Sequence, residues 1–298
     1  MADHKSSDGR CVKEEGMEDL WNVWYSELHD GTSGLTLKVD RLLESLQSEY
    51  QRIDVIENRD FGKLLVLYGS LMVCDNDHNA YNEMISHVPL FCHPAPKEVL
   101  IIGGGDCGAL TEVMKHPEVE HCLMCELDEK VVETSRKYFP RLTAGLNDAR
   151  AEVTFQDGKK YIEETDNRFD LVLLDLSDPV GPSADLFQKN FHRQVFDRLN
   201  ENGIMVAQSE SPFFNQKTVR AMYANLKEVF PVVKMYTCFM PIYPSGFWSF
   251  AFCSKGLDPI KDLDMARLKK LDLLTQYYNL ETHLGAFALP RYVKNLLK

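Results

Sequence analysis

The spacing of hydrophobic positions differs before and after Pro94. Toward the N-terminus, short segments of β-strand character alternate with the turn signals Asp60-Phe61-Gly62 and Tyr68-Gly69. After Pro94, residues 99–102 form a continuous apolar run that meets glycines, which is typical of a parallel strand buried on both faces. The sequence therefore predicts a small N-terminal β-unit with strands near 35–39, 51–57 and 64–67, followed by a different architecture.

Strand and helix candidates alternate after the apolar run. Further strands are predicted at 122–127, 153–155, 171–174 and 204–207, and helices at 109–115, 129–138 and 159–165. This alternation predicts an α/β fold with a doubly wound sheet. The predicted organisation is a disordered polar tail over residues 1–19, a β-strand domain over 20–79 and a catalytic domain over 80–298.

Composition narrows the classes of partner. The formal net charge is −12, from 33 Lys and Arg against 45 Asp and Glu, which argues against nucleic-acid binding. An acidic field would concentrate a cationic substrate, or it serves solubility alone. No apolar run approaches the roughly 20 residues that span a bilayer, and the N-terminus has no apolar leader, so we expect a cytoplasmic protein without a membrane partner.

The cysteine and histidine residues give little indication of a disulfide framework or a metal site. The eight cysteines suggest no disulfide framework, and the Cys122 and Cys125 pair indicates either two buried thiols or half of a redox or metal site. The nine histidines show no metal-ligand spacing. The sequence therefore predicts no metal.

A glycine-rich segment follows the apolar run. Gly103-Gly104-Gly105-Asp106-Cys107-Gly108 lies between that strand and the next helix, where the backbone can approach a ligand closely. Asp106 stands where it would repel a pyrophosphate, which favours a cationic or neutral ligand. Glu126 ends the following strand, the position from which a carboxylate holds ribose hydroxyls. Together they indicate an adenosine ligand; the alternative is a packing turn and a surface acid.

Two more strands also end in acids. Asp157-Gly158 follows one strand, and Asp175 and Asp178 follow the next. Ligands bind at the carboxyl ends of parallel strands. Because Pro179 disfavours a helical conformation at Asp178, both carboxylates can face one pocket, which suits an ammonium ligand. The alternative is a turn at Asp178 and a helix-capping acid at Asp175.

From about Trp24 to near the C-terminus, the chain resembles the spermidine synthase family of aminopropyltransferases. Besides the glycine-rich segment, the resemblance rests on motifs that occur in the family's order: Trp24-Tyr25-Ser26-Glu27, Ser48-Glu49-Tyr50-Gln51, Ala80-Tyr81-Asn82-Glu83-Met84, Cys125-Glu126-Leu127-Asp128, Asp175-Leu176-Ser177-Asp178-Pro179-Val180-Gly181-Pro182 and Pro241-Ile242-Tyr243-Pro244-Ser245-Gly246. It implies a Rossmann-like, methyltransferase-type sheet with a small N-terminal β-domain. It also implies a homodimer or homotetramer.

The resemblance assigns roles to individual residues. Asp175 would be the general base. The donor, decarboxylated S-adenosylmethionine, would be a co-substrate held by Gln51, Gly103, Asp106, Glu126, Asp157 and Gly158, with no further cofactor. In that set Asp106 would hold the amino end of the aminopropyl group, Glu126 the ribose hydroxyls and Asp157 the adenine amine. The amine acceptor would be bound by Tyr81, Asp178, Gln208 and Tyr243.

The implied reaction moves the aminopropyl group to an amine and releases methylthioadenosine. Putrescine, which would give spermidine, is the family's commonest acceptor; agmatine, cadaverine and a triamine stay open. Two different functions stay open as well, a putrescine N-methyltransferase that uses S-adenosylmethionine and an inactive regulatory paralogue. The acceptor is left open because one methylene changes discrimination by only about 1 to 3 kcal/mol. It is also left open because the chain departs from the family pattern at Tyr68, Met72, Asn82, Cys107 and Leu176.

Overall fold

Three β-sheets form the framework of the computed structural model, which describes residues 22–29, 31–177, 186–271 and 275–298. The predicted tail over residues 1–19 and the predicted site residue Asp178 lie outside this part of the chain. A two-stranded hairpin comes first, followed by a four-stranded antiparallel sheet. The strands are β1 Trp24–His29, β2 Ser33–Lys38, β3 Arg41–Gln47, β4 Arg52–Asn58, β5 Gly62–Leu67 and β6 Ser70–Cys74.

The predicted N-terminal β-unit is confirmed. The predicted strands correspond to β2, β4 and β5, whereas β1, β3 and β6 had no counterpart in the prediction. The predicted boundary at residue 79 stays a prediction, and the first helix, α1 His78–Cys92, spans it.

The central sheet has seven strands in the order β12-β13-β11-β10-β7-β8-β9. Within it β13 runs antiparallel to both neighbours, and the other pairings are parallel. Its strands are β7 Glu98–Gly103, β8 His121–Glu126, β9 Ala151–Phe155, β10 Phe169–Asp175, β11 Leu199–Gln208, β12 Val232–Phe239 and β13 Phe247–Ser254.

Helices cover both faces of the central sheet. Val99 and Ile101 of β7 point into one hydrophobic core, and Leu100 and Ile102 point into another. This two-sided burial explains the continuous apolar run and confirms the predicted doubly wound α/β class. The helices after α1 are α2 Gly108–Met114, α3 Glu129–Tyr138, α4 Gly158–Glu164, α5 Lys189–Arg198, α6 Gln216–Lys227, α7 Met265–Leu271, α8 Leu280–Ala286 and α9 Arg291–Leu296. Among the described helices, none is long and apolar enough to span a membrane.

Helix α1 was not predicted, because it has no solvent-facing polar stripe. Every residue from Ala80 to Cys92 is buried, including Glu83 and His87. The Glu83 carboxylate accepts three backbone N–H bonds, of 2.8, 2.8 and 2.7 Å, from residues 276–278. A C-terminal segment therefore holds α1 from the side and satisfies its buried charge.

The order of the central sheet creates a crevice at its middle. The chain leaves β7 toward β8 and β9, and then returns to form β10 on the other side of β7. At the carboxyl ends of the two neighbours, Gly103 pairs in register with Asp175. Such a switch point is where ligands bind in open α/β sheets.

Candidate active site

A cavity of about 630 Å³ opens at this switch point, between the carboxyl ends of the central strands and the N-terminal sheet. A recess of about 30 Å³ adjoins it and is lined by Gln208, Glu27 and Trp248. Nine of the predicted site residues line the main cavity: Gln51, Tyr81, Gly103, Asp106, Glu126, Asp157, Gly158, Asp175 and Tyr243. The sequence prediction thus converges on one place in the fold.

The glycine-rich segment brings the ends of β7 and β10 together. Gly103 has φ +82°, and a Cβ there would lie 2.2 Å from the carbonyl oxygen of Asp175. That oxygen accepts the N–H of Gly104 at 2.9 Å. A Cβ on Gly104, with φ +73°, would lie 3.0 Å from Asp175 Oδ2. Glycine is required here because the backbone passes against the carbonyl group of Asp175 at Gly103 and against its side chain at Gly104, so the segment both packs on β10 and lines the cavity.

Three cavity carboxyls, Asp106, Glu126 and Asp175, form what we call the carboxylate cluster. Burial raises the pKa of Asp106 to about 6, although its carboxylate accepts the N–H of Gly108 at 2.7 Å. Burial also raises the pKa of Glu126 to about 7, and the charges of Asp128 and Asp106 act in the same direction. The carboxylates are held in an enclosed site, so a cationic ligand would stabilise their charged forms.

Asp175 has the most raised pKa of the cluster. Its Oδ1 accepts the O–H of Tyr81 at 2.8 Å, and its Oδ2 is buried without a hydrogen-bond partner among the described residues. Burial raises the pKa of Asp175 to about 8, the charge of Asp106 adds to the rise, and the Tyr81 bond opposes it. Asp175 is the last residue of β10 rather than a helix cap. Its free oxygen can accept a proton from a ligand.

Asp128 lines the cavity, although the sequence motifs assigned it no role. Its Oδ2 accepts Ser48 Oγ at 2.6 Å and Gln51 Nε2 at 3.1 Å, while its Oδ1 caps α3 through the N–H of Lys130. These bonds tie the turn between β3 and β4 to the central sheet and fix Gln51 at the cavity. The sequence signal for this role was an aspartate directly before a helix, the usual capping position.

Asp157 and Gly158 begin α4 at the cavity wall. Asp157 Oδ1 caps the helix by accepting the N–H of Lys159 at 2.8 Å and that of Lys160 at 3.4 Å. A Cβ on Gly158 would lie 2.3 Å from Ile102 Cγ2, so the helix start packs directly on β7. Gly158 thereby places the Asp157 carboxyl at the strand ends.

Aromatic side chains separate the main cavity from the recess. The Tyr243 ring lies edge-on to the rings of Tyr81 and Trp248, at centroid distances of 5.9 and 4.8 Å, and its O–H donates to the Met72 carbonyl at 2.6 Å. Gln208 is buried in the recess, where its Oε1 accepts the N–H of Glu210 at 3.0 Å. Tyr81 and Tyr243 border both spaces.

Glu27 and Trp248 line the recess, and the sequence assigned neither of them a role in binding. The Glu27 Oε2 accepts the N–H of Leu71 at 2.9 Å, and Trp248 Nε1 is buried without a partner in the described ranges. Glu27 lies in a motif that carried the resemblance, and the sequence left open whether Trp248 borders the pocket or packs in the core; Trp248 lines the recess together with Gln208.

The described residues include no metal-ligating cluster, and the two cysteines of the C-x-x-C pair are buried. No group of three or more His, Cys, Asp and Glu side chains there could hold a metal ion. Cys122 and Cys125 are both buried, and burial raises the pKa of each thiol. The interpretation of the pair as buried thiols therefore agrees with their surroundings.

Sequence profiles of known families match both parts of the chain. The spermine/spermidine synthase domain matches residues 78–263, and the spermidine synthase tetramerisation domain matches residues 23–75. The chain belongs to the spermine/spermidine synthase family. The polyamine aminopropyltransferase of Caldicellulosiruptor bescii is 43% identical over 276 residues, covering 93% of this chain and 98% of that protein. The one of Thermotoga maritima is 42% identical over 286 residues, covering 95% and 97%.

Solved structures of the spermidine synthase family share the whole fold. A crystal structure of spermidine synthase in complex with the transition state analogue AdoDATO matches with a TM-score of 0.90 at 42% identity, covering 96% of this chain and 99% of that one. The spermidine synthase of Thermotoga maritima matches with a TM-score of 0.88 at 42% identity, covering 97% and 99%. The predicted family, fold class and enzyme class, a spermidine synthase-like aminopropyltransferase, are confirmed.

Proposed function

We propose that the chain transfers the aminopropyl group of decarboxylated S-adenosylmethionine to putrescine, giving spermidine and methylthioadenosine, with Asp175 as general base. The observation that carries the proposal is the state of the Asp175 carboxyl. One oxygen is held by Tyr81, the other is free of described partners, and the pKa is raised to about 8. A carboxyl that titrates near neutral pH is suited to take a proton from an ammonium group.

The proposed reaction needs one proton transfer and one displacement. An alkylamine has a pKa near 10 and arrives protonated, so Asp175 removes a proton to expose the nitrogen lone pair. The nitrogen then attacks the methylene carbon next to the donor's sulfonium. A C–N bond forms, the C–S bond breaks, and the electron pair passes to sulfur, which leaves as the neutral thioether. Holding the two reactants in line in the cavity should supply much of the rate.

For the donor, the acids Asp106, Glu126 and Asp157 line the main cavity, and the donor carries an amino group, ribose hydroxyls and an adenine amine that acids can bind. We propose that Asp106 holds the amino end of the aminopropyl group, Glu126 the ribose hydroxyls and Asp157 the adenine amine, with Gln51, Gly103 and Gly158 shaping the wall. The hydrogen bond from Gln51 to Asp128, which fixes Gln51 at the cavity, supports this arrangement. S-adenosylmethionine carries a further carboxylate that Asp106 would repel, which favours the decarboxylated donor.

For the acceptor, we propose the side of the cavity that meets the recess. Tyr81 and Tyr243 border both spaces, and Gln208 lies in the recess. Tyr81 also contacts the proposed base, so it can orient an amine against Asp175. Asp178, which follows β10, completes the proposed acceptor set.

We further propose that the protein acts as a homodimer or homotetramer with a β-domain over residues 20–79 and a catalytic domain over 80–298. The match of residues 23–75 to the tetramerisation domain of spermidine synthase supports an oligomer.

A panel of amines tests the proposal. The purified protein would be incubated with decarboxylated S-adenosylmethionine and putrescine, cadaverine, agmatine, spermidine or norspermidine, and products would be quantified by mass spectrometry. We expect methylthioadenosine and spermidine with putrescine, and a loss of about 10² to 10⁴ in rate for Asp175→Asn. Donor binding without methylthioadenosine for any amine would refute the enzyme proposal and favour a regulatory paralogue. Methylated products from S-adenosylmethionine would favour a methyltransferase.

A further inference from the structure

Tyr68 holds a strained and exposed position beside the cavity. It has φ +51° and is followed by Gly69 with φ +85°, in the two-residue turn that joins β5 to β6 through the Leu67 and Ser70 pair. Turns with two positive φ values favour Gly, Asn and Asp, because a larger side chain is strained there. The Tyr68 side chain is 76% exposed, so packing within the described chain does little to offset this strain.

The turn is held in place by the first strand of the chain. The Tyr25 O–H donates to the Gly69 carbonyl, and the Leu71 N–H donates to Glu27 Oε2 at 2.9 Å. Both bonds join β1 to residues that directly follow Tyr68 in the chain. The position of Tyr68 is therefore set by tertiary contacts rather than by a loose loop.

Tyr68 lines the main cavity and precedes the residues that mark the boundary of this cavity with the recess. Leu67, which precedes it, lines only the main cavity, whereas Ser70 and Met72, which follow it, line both spaces. In the proposed reaction this boundary is where the sulfonium of the donor meets the attacking amine. The charged side chains among the residues that line the main cavity are all acidic, so no Lys or Arg of the described wall competes for the face of an aromatic ring.

Building on the proposed function, we infer that Tyr68 binds the donor by packing its ring against the sulfonium and the adjacent methylene groups. An aromatic face attracts a cation, but it gains no such attraction from an uncharged thioether. Tyr68 therefore favours the charged donor over the neutral coproduct, methylthioadenosine. The backbone strain at φ +51° is retained because the ring it presents is buried by the ligand.

Three substitutions and two ligands test this assignment by isothermal titration calorimetry. Tyr68→Leu removes the aromatic face and keeps a side chain that is strained in the same way. We expect it to raise the Kd of decarboxylated S-adenosylmethionine about 5- to 10-fold and to change the Kd of methylthioadenosine less than about 2-fold. Tyr68→Phe is the matched control, and both of its Kd values should stay within about 2-fold of wild type.

Tyr68→Asn separates strain from binding. Asparagine tolerates a positive φ, so this variant should unfold at a higher temperature than wild type while losing donor affinity to the same extent as Tyr68→Leu. An unchanged donor Kd in both the Leu and Asn variants, or equal losses for donor and thioether, would overturn the inference. If wild type neither binds the donor nor forms methylthioadenosine, the proposed function fails; if wild type is active and these variants bind normally, only the role of Tyr68 fails.

Discussion

Two substitutions around Asp175 should move its pKa in opposite directions. Tyr81 donates a hydrogen bond to Asp175 Oδ1 at 2.8 Å, which stabilises the charged carboxylate. Asp106 contributes a like charge, which disfavours it, and burial and this charge together raise the pKa to about 8. Tyr81→Phe removes the stabilising contact and should raise the pKa further. Asp106→Asn removes the repelling charge and should lower it.

The magnitudes follow from the strengths of the two contacts. A hydrogen bond to a charged group contributes about 1.5–3 kcal/mol, and one pKa unit corresponds to about 1.4 kcal/mol. Tyr81→Phe should therefore raise the pKa of Asp175 by about 1–2 units. Two charges roughly 8 Å apart at an effective dielectric near 20 interact by about 2 kcal/mol, so Asp106→Asn should lower the pKa of Asp175 by about 1–2 units.

Carbon-13 NMR of aspartate-labelled, ligand-free protein measures the titration directly, and the Asp175 resonance is assigned by its loss in Asp175→Asn. The acidic limb of the pH profile of kcat/KM for the donor is the functional readout. It should move to higher pH in Tyr81→Phe and to lower pH in Asp106→Asn, because the base acts only when ionised.

Tyr243→Phe is the matched control for this pair of shifts, since its O–H donates to the Met72 carbonyl rather than to Asp175. The acidic limb of the pH profile of Tyr243→Phe should stay within about 0.3 pH units of the wild-type limb. A Tyr81→Phe variant that titrates at or below the wild-type pH, or shifts of the same sign in both variants, would refute the account of Asp175.

Other buried groups give three more expectations. At pH 7, donor binding should release roughly one proton from the partly protonated carboxylate cluster, measured by calorimetry in buffers of different ionisation enthalpy; heats independent of the buffer would contradict it. Cys107 has φ +67°, so Cys107→Gly should be more stable in denaturant unfolding than Cys107→Ala by about 1 kcal/mol, and equal stabilities would argue against strain there. Glu83→Gln should lose about 2–4 kcal/mol of unfolding free energy, whereas the exposed Glu201→Gln should change it by less than about 0.5 kcal/mol.

The sequence predicted that the acids of the site meet in one cavity because the signals that mark them are local. The apolar run of β7, the glycines after it, and Glu126, Asp157 and Asp175 each lie at the carboxyl end of a recognisable strand. In a parallel sheet those ends meet at one edge, so the pattern alone brings the acids together. Gly103 and Asp175, which end the neighbouring strands β7 and β10 and pair in register, are an example.

The contacts that tune the site could not be read from the sequence in the same way. Tyr81 reaches Asp175 across 94 positions, and Gln51 reaches Asp128 across 77. Helix α1, which carries Tyr81, is buried on all sides, so it lacks the period of 3.6 residues that marks a surface helix. Its buried Glu83 is satisfied by a backbone segment almost 200 positions later, and no propensity encodes such a pairing.

Two features of the ligand-free site destabilise the folded chain, the buried carboxylate cluster and the strained backbone at Tyr68. A bound cation would offset both. For the carboxylate cluster, the folded pKa values of about 6 to 8 exceed the ordinary values near 4. The unfolded chain therefore gives up these protons first as pH rises, so the folded chain loses stability between about pH 4 and pH 8. A bound cation reverses this loss by pairing with the carboxylates, and the same cation would bury the exposed ring of Tyr68. Substrate charge, carboxyl pKa and backbone strain are therefore linked. The thermal stabilisation that a cationic ligand provides should grow as pH rises from 6 to 8. A ligand bound only through apolar contacts would not show this increase.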